Sequence, residues 1–254
     1  ILRFFRFFAR FGDGLPESDS LEACISERAG LTRLSRERIG HEIMRLLVAR
    51  NAAPTIAIMT EHGLLTQVLP IAPITERLSA YVGIEEKIAA GPADPAMRLG
   101  ALAVAVEEDA TRLQTALRLS NPEFDALLFW ARTIRDLREL SEKTGRPRED
   151  RELKALLYRN GPRNYARRLM IEACLQPVPR NEATLARDLE LPGHWPRPEF
   201  PISGRDLLEL GVPPGPAIGD WLSKLETEWV EADFSLSGDE LRHRAARLLS
   251  RREN

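Results

Sequence analysis

The feature that most limits the fold of this chain is the helical spacing of its apolar residues. In the segment LSRERIGHEIMRLLVAR, the apolar residues that share one helical face are Ile39, Ile43, Leu46 and Leu47. Ser35 precedes this face, where its hydroxyl is suited to cap the helix. Segments of the same kind fill most of the chain, and no two segments alternate apolar and polar residues as paired strands do. The sequence therefore predicts an all-α fold.

Glycine and proline divide the helical segments from one another. Breaks are predicted at Gly63, at Ser120-Asn121-Pro122 and at Asn160-Gly161-Pro162, and Pro95 is placed to begin a helix. The stretch from Gln176 to Pro201 carries six prolines and predicts a linker or a proline-stiffened connection. Three short helices are expected after it, at roughly 204–210, 215–230 and 237–250, the last with a capping box between Ser237 and Glu240.

Length and charge leave several functions open. The 254 residues suffice for one large domain or two to three smaller ones. The net charge of −2 gives no overall preference for nucleic acid, but the segment from Trp130 to Arg180 carries 13 Lys/Arg against 7 Asp/Glu. This local excess of six positive charges suits contact with phosphates, and it is equally compatible with solvated helix faces.

The chain carries few residues in patterns typical of catalysis. Its two cysteines, Cys24 and Cys174, lie about 150 residues apart, which excludes a disulfide framework and a cysteine-rich zinc site and favours a reducing, cytoplasmic location. The four histidines have no ligand spacing, and no phosphate-binding loop or catalytic aspartate pair is present. We therefore predict no catalytic residue and no metal ligand within this chain. No apolar run is long enough to span a membrane.

The opening stretch ILRFFRFFARFG combines arginines and phenylalanines at helical spacing. Three arginines share one side of the predicted helix, namely Arg3, Arg6 and Arg10, and three phenylalanines share another, namely Phe4, Phe8 and Phe11. We expect the aromatic side to be buried and the guanidinium groups to face an anion, or alternatively water and acidic side chains. The uncapped, apolar start suggests a fragment whose first helix has been cut.

Two further segments contain candidate functional residues. In SRERIGHE, Arg38 and Glu42 are spaced as an i, i+4 ion pair, and Glu37 lies in the first turn, where the helix dipole favours an anion. In GVPPGPAIGDWL, Gly215 precedes a helix whose first backbone amides are free to bind an anion. Both segments have purely structural alternatives, helix stabilisation for the first and tight helix packing for the second.

These segments resemble those of a known family. The chain is similar to the C-terminal two-thirds of the class II tRNA nucleotidyltransferases, which are the bacterial CCA-adding enzymes and their poly(A) polymerase relatives. ILRFFRFFARFG resembles the helix that follows the acidic nucleotide-templating motif, and SRERIGHE resembles the neck motif. The segments LRLSNPE, LLYRNGP and, most specifically, PISGRDLLELGVPPGPAIGDWL resemble the body and tail, in the family's order.

The resemblance implies an elongated helical array without the catalytic head. The implied parts are a neck (1–50), a helical body (51–176), a proline-rich connection (177–200) and a helical tail (201–254). The full-length protein would add CMP and AMP to tRNA 3′ ends, with Mg²⁺ and ATP or CTP held through the head, and this chain alone would be inactive. The expected partners are tRNA and that head.

The resemblance also implies roles for particular residues. Arg3 and Arg6 would contact the incoming nucleotide or brace its neighbours, and the neck residues Glu37, Arg38 and Glu42 would support that helix. The candidate RNA contacts are Arg159, Arg163, Arg167, Arg168, Arg205 and Gly215. Two alternatives remain open: a poly(A) polymerase of the same family, and a non-catalytic, all-helical RNA-binding or scaffold protein.

Overall fold

A computed structural model describes residues 1–88, 91–141, 149–175 and 181–250 of the chain. These residues form thirteen α-helices and no strand, so the predicted all-α class is confirmed. The helices are α1 Leu2–Phe11, α2 Ser18–Ser26, α3 Arg36–Leu47, α4 Ala52–Glu61, α5 Thr75–Lys87, α6 Pro95–Ala103, α7 Glu107–Leu117, α8 Asn121–Ser141, α9 Asp150–Leu175, α10 Glu182–His194, α11 Gly204–Glu209, α12 Pro216–Glu231 and α13 Gly238–Ser250. Short 3₁₀ helices cover Arg28–Arg33 and Leu65–Gln67.

Most of the local signals act as predicted. The Ser35 hydroxyl accepts a hydrogen bond from the backbone N–H of Arg38 at 3.4 Å, and Pro95 begins α6. Gly161 interrupts α9 with φ 70° and ψ 168°, a left-handed conformation that glycine adopts without strain. The capping box of α13 is formed, since Glu240 accepts from the backbone N–H of Ser237 at 2.8 Å. Each of these signals depends on residues close together in sequence.

Within the segment 177–200, for which a linker or a proline-stiffened connection is predicted, Glu182–His194 forms α10. The ten residues from Glu182 to Leu191 contain no proline, so the prolines flank most of this helix instead of breaking it. The Asn181 side chain caps the helix by accepting from the N–H of Ala183 at 2.9 Å, and Leu185 is buried. Residues 177–180 lie outside the described residues.

The described residues divide into two compact units. The first comprises Ile1–Gly145 with Ala166–Arg187, and the second comprises Arg146–Tyr165 with Asp188–Asn254. The predicted neck and most of the predicted body thus share one unit, and the predicted boundaries at 50, 176 and 200 stay predictions.

The first unit is built around α6, whose residues are nearly all buried. A Cβ on Gly100 would lie 2.1 Å from the ring of Trp130, so only glycine lets α8 approach this closely. The Arg77 side chain, from α5, donates to the carbonyls of Gly100 (3.1 Å) and Val104 (2.7 Å) at the end of the helix. The Gly100 carbonyl also accepts from the N–H of Val104 at 3.0 Å, so Arg77 adds a second donor there and supplies one to the carbonyl of Val104, just beyond the helix.

The second unit has its own aromatic core. Leu207, Leu225 and Leu241 are completely buried, and they join α11, α12 and α13. The ring of Tyr158, from the first part of α9, packs against Trp229 with ring centroids 5.6 Å apart. This core is separate from that of the first unit.

Candidate nucleic-acid interface

The face of α1 that packs in the first unit differs from the predicted one. Leu2, Phe5 and Ala9 are the buried residues of this helix, with α3 and α4 packed against it. The prediction that Phe4, Phe8 and Phe11 share a buried face is wrong: the first two are half-buried and Phe11 is 68% exposed. The helix carries aromatic residues on several faces, so their spacing did not single out the buried side.

Arg6 is held by the neck helix α3. Its Nε lies 2.6 Å from Oε2 of Glu42, and the two side chains are only 13% and 18% exposed. The predicted i, i+4 pair between Arg38 and Glu42 is not the contact this carboxylate makes. Arg38 is exposed, and Glu37 lies near Arg118 at 3.5 Å. Of the three predicted support residues, Glu42 is the one that contacts α1.

Asn51 fixes the other end of α1. Its backbone N–H donates to the carbonyl of Ala9 at 2.8 Å, and its side-chain amide donates to the carbonyl of Gly12 at 2.6 Å. These bonds satisfy carbonyls that a helix end leaves without partners. Glu42 and Asn51 together fix the position of α1.

Gly40 lets α3 approach the end of α7 closely. A Cβ at this position would lie 2.0 Å from the carbonyl oxygen of Leu117, a backbone atom that cannot rotate away. Arg118, the next residue, has the left-handed values φ 52° and ψ 47° and ends α7. The neck motif therefore contains the buried Ile39, this glycine and the ion-paired Glu42 within four residues.

The outer face of α1 presents arginines and aromatic rings together. Arg3 is exposed, as is Arg10. The rings of Phe7 and Phe11 stack with centroids 6.1 Å apart and are 47% and 68% exposed. The guanidinium groups of Arg6 and Arg10 lie 4.6 Å and 5.2 Å from these two rings. Such a surface offers cationic and stacking contacts to a nucleotide.

The arginines predicted to contact RNA do not form one group. Arg159 and Arg163 lie in the second unit and are exposed, whereas Arg167 and Arg168 lie in the first. Each of the last two side chains is bound to acidic residues of its own unit. The four arginines therefore fall into two pairs with different surroundings.

Arg168 is a structural residue. It is 9% exposed, and its guanidinium bridges Glu172 at 3.0 Å and Asp136 at 2.8 Å. Arg167 pairs with Asp94 at 2.7 Å, with a side chain 14% exposed. Both guanidinium groups are largely shielded from solvent and neutralised by carboxylates, which argues against either arginine as an RNA contact.

The tail candidates differ in their surroundings. Arg205 is exposed and pairs with Glu209 of the same helix at 3.2 Å. Gly215 has φ 134°, and Pro216 follows it as the first residue of α12.

In residues 1–88, 91–141, 149–175 and 181–250, no three His, Cys, Asp or Glu side chains are grouped as a metal ion requires. Among the helices of that same part of the chain, none combines the length and the apolar character of a bilayer-spanning segment. Both cysteines are free thiols, and burial raises the pKa of Cys174 to about 11.

Sequence reasoning missed three residues that shape these surfaces. Asn51 and Arg77 each donate a hydrogen bond to a carbonyl at the end of a helix that is distant in sequence. Arg197 lies over the ring of Tyr158 at 4.7 Å. No local pattern marks such contacts. The one local signal was for Arg197, an arginine within the proline-rich stretch.

Comparison with known proteins agrees with the motifs. A family described as "Probable RNA and SrmB- binding site of polymerase A" matches residues 16–74. The mitochondrial CCA tRNA nucleotidyltransferase 1 of Mus musculus is 26% identical over 245 residues, and that of Homo sapiens is 27% identical over 250. Each alignment covers 95% of this chain and 53% of the relative, so the chain spans about half the length of the curated relatives it matches.

A solved structure shares the fold. The crystal structure of the Bacillus stearothermophilus CCA-adding enzyme in complex with CTP superposes with a TM-score of 0.63 at 18% identity. The match covers 99% of this chain and 62% of that one. Residues 16–74 thus match that RNA-binding-site family, and the helical fold of the chain is shared with the CCA-adding enzyme. The chain is similar to CCA tRNA nucleotidyltransferases over nearly its whole length, as its motifs indicated, and the coverage fits the predicted C-terminal portion.

Proposed function

We propose that this chain is the RNA-binding and nucleotide-site-completing portion of a tRNA nucleotidyltransferase that adds CMP and AMP to tRNA 3′ ends. The observation that carries the proposal is the similarity to CCA tRNA nucleotidyltransferases over 95% of the chain. The position of α1 supports it, because Glu42 and Asn51 fix the helix and leave Arg3 exposed. The two partners are tRNA and an N-terminal catalytic head.

Arg3 and Arg6 have different roles in this proposal. Arg3 is exposed and donates to the incoming nucleotide, for which the planar guanidinium group is suited. Arg6 is bound to Glu42 at 2.6 Å and braces the helix from within. Glu42 is accordingly a positioning residue, and Glu37 and Arg38 support the first turn of α3.

The chemistry belongs to the head in this proposal. Mg²⁺ and ATP or CTP bind there, and the metal would supply activation of the tRNA 3′ hydroxyl and charge stabilisation. The present chain contributes Arg3 to the nucleotide and basic residues to the RNA. On its own it is expected to be inactive, and its two free thiols suit a reducing compartment such as the cytoplasm.

The full-length protein tests this assignment. Given tRNA that ends before CCA, it is expected to incorporate CMP from CTP and then AMP from ATP. Arg3→Ala is expected to lower kcat/KM for the nucleotide about tenfold or more, which corresponds to the loss of one charge-assisted hydrogen bond. Arg45→Ala removes an equally exposed arginine on α3 and serves as the matched control.

Three outcomes would oppose the assignment. Incorporation of AMP alone, with CTP rejected, would make the protein a poly(A) polymerase. Equal kinetics for the Arg3 and Arg45 variants would remove Arg3 from the nucleotide site. The absence of any nucleotide transfer would favour the non-catalytic alternative.

The candidates for RNA contact differ in how exposed they are. Arg159, Arg163, Arg205 and the amides near Gly215 remain candidates because they are exposed. A double variant of Arg163 and Arg167 would not test RNA contact cleanly, because Arg167 holds Asp94 in the fold of the first unit. Single variants of exposed residues are the sharper test.

A further inference from the structure

A polar cavity lies within the second unit. Its volume is about 290 Å³, and it opens between the first part of α9, the segment before α11 and the middle of α12. The polar side chains that line it are Tyr158, Arg159, Arg197, Ser223, Glu226 and Thr227. Its size suits a single phosphate and its sugar, whereas sites for drug-sized ligands are usually larger.

Tyr158 organises the cavity. Its ring packs against Trp229 and Phe234, at centroid distances of 5.6 Å and 5.3 Å, and its hydroxyl donates to Oε1 of Glu226 at 2.5 Å. Burial and the adjacent carboxylate raise the pKa of Tyr158 to about 12, so the hydroxyl remains a donor at neutral pH. The same ring supports the guanidinium of Arg197 at 4.7 Å.

Two guanidinium groups at this cavity have no carboxylate partner. Arg159 and Arg197 are both exposed, and neither forms an ion pair with any described residue. Other arginines of this unit behave differently, since Arg205 pairs with Glu209 and Arg244 with Glu228. Two unpaired cations beside a single carboxylate that is already bonded to a tyrosine leave the cavity with a net positive charge.

We propose that this cavity binds one phosphodiester group of the RNA backbone, with Arg159 and Arg197 as its cationic ligands. The Ser223 hydroxyl supplies a neutral donor at the rim. Tyr158 is a positioning residue, because it supports Arg197 by its ring and holds Glu226 by its hydroxyl. This inference rests on the proposed function, in which RNA is the substrate, and it adds Arg197, which no sequence motif marked.

The test measures binding of the chain to tRNA that ends before CCA, by fluorescence anisotropy between 50 and 300 mM KCl, a roughly sixfold range of salt concentration. Arg197→Ala and Arg159→Ala are each expected to weaken binding about three- to tenfold and to reduce the salt slope by about 0.7 to 0.9. Glu226→Gln removes the one negative charge at the cavity and is expected to tighten binding. A merely structural role would not produce opposite signs at adjacent residues.

Arg244→Ala is the matched control, because it removes one exposed arginine from the same unit without touching the cavity. Circular dichroism melts confirm that each variant is folded. If the wild-type chain binds tRNA but the Arg197 and Glu226 variants behave like the Arg244 variant, the cavity is not an RNA site and only this inference falls. If the wild-type chain does not bind tRNA, the proposed function falls with it.

Calorimetric titrations with inorganic phosphate and with CTP, at constant ionic strength, distinguish the source of the phosphate. Little binding of either small anion, together with weaker RNA binding by the Arg197 and Arg159 variants, supports a contact with the RNA backbone. Saturable binding of phosphate or CTP that requires Arg197, with unchanged RNA affinity, would overturn the RNA assignment.

Discussion

Gly40→Ala is expected to destabilise the first unit, although alanine is the better helix former. An added Cβ would lie 2.0 Å from the Leu117 carbonyl oxygen, which is 1.4 Å inside the 3.4 Å at which ordinary contact begins. Because Arg118 ends α7 in a left-handed conformation, with the N–H of Leu119 bonded to Gln114, this oxygen cannot move without disturbing the helix end.

Overpacking of this kind costs about 1 to 3 kcal/mol, and the helix preference of alanine over glycine returns about 0.5 to 1 kcal/mol. The expected net loss is about 1 to 2 kcal/mol, equivalent to a fall in melting temperature of roughly 2 to 8 °C for a unit of this size. Urea unfolding followed by circular dichroism, with a calorimetric melt as a second probe, measures both quantities.

Gly83→Ala is the matched control, since Gly83 lies inside α5 of the same unit and an added Cβ meets no atom within 4 Å. This variant is expected to gain about 0.5 to 1 kcal/mol through helix preference alone. If both variants stabilise the protein, or if Gly40→Ala is neutral, the close approach of α3 to α7 is not present in solution and the argument from it is refuted.

Glu42→Ala leaves the largely buried Arg6 guanidinium without its partner. The free energy of unfolding, measured by urea titration, is therefore expected to fall by about 1 to 3 kcal/mol. A loss below about 0.3 kcal/mol would show that the ion pair contributes little to stability. Because burial raises the pKa of Cys174 to about 11, its thiol should be alkylated at pH 8 far more slowly than a free model thiol, and equal rates would contradict the burial. The folded pKa of Tyr158, about 12, lies above its ordinary value of 10.0, so its contribution to stability is complete below pH 10 and is lost as pH rises towards 12. Tyr158→Phe should lose part of this alkaline dependence, and an identical pH profile for the variant would oppose the assignment.

Predictions based on neighbouring residues were largely correct. Ser35, the Asn160-Gly161-Pro162 break and the Ser237 capping box act within a few residues, where backbone geometry alone decides the outcome. The boundaries of α11, α12 and α13 were predicted to within about one residue for the same reason.

Predictions of side-chain partners were less successful, because partners distant in sequence compete with local ones. Glu42 lies four residues from Arg38, yet it binds Arg6, which is 36 residues away. Arg167 and Arg168 lie in the most basic stretch of the chain, but three acidic side chains of the first unit neutralise them. Local charge excess does not show which arginines are already paired.

The buried face of α1 illustrates a further difficulty. A helix that carries phenylalanines at positions 4, 5, 7, 8 and 11 gives no single apolar stripe, so periodicity cannot choose the face. The hydrogen bonds from Asn51 to the carbonyls of Ala9 and Gly12 decide it instead, because they cap the end of α1 and also fix the rotation of the helix. Long-range hydrogen bonds of this kind leave no pattern in the sequence.

Binding of the 254-residue chain to tRNA that ends before CCA, compared with duplex DNA of similar length over a salt series, tests the proposed function most directly. We expect measurable affinity for the tRNA at low salt, a linear fall of log K with log salt concentration, and much weaker binding of the DNA, since A-form shape and 2′-hydroxyl groups distinguish the two. Equal affinity for the DNA, or no binding of tRNA at 50 mM salt, would contradict a role in holding tRNA.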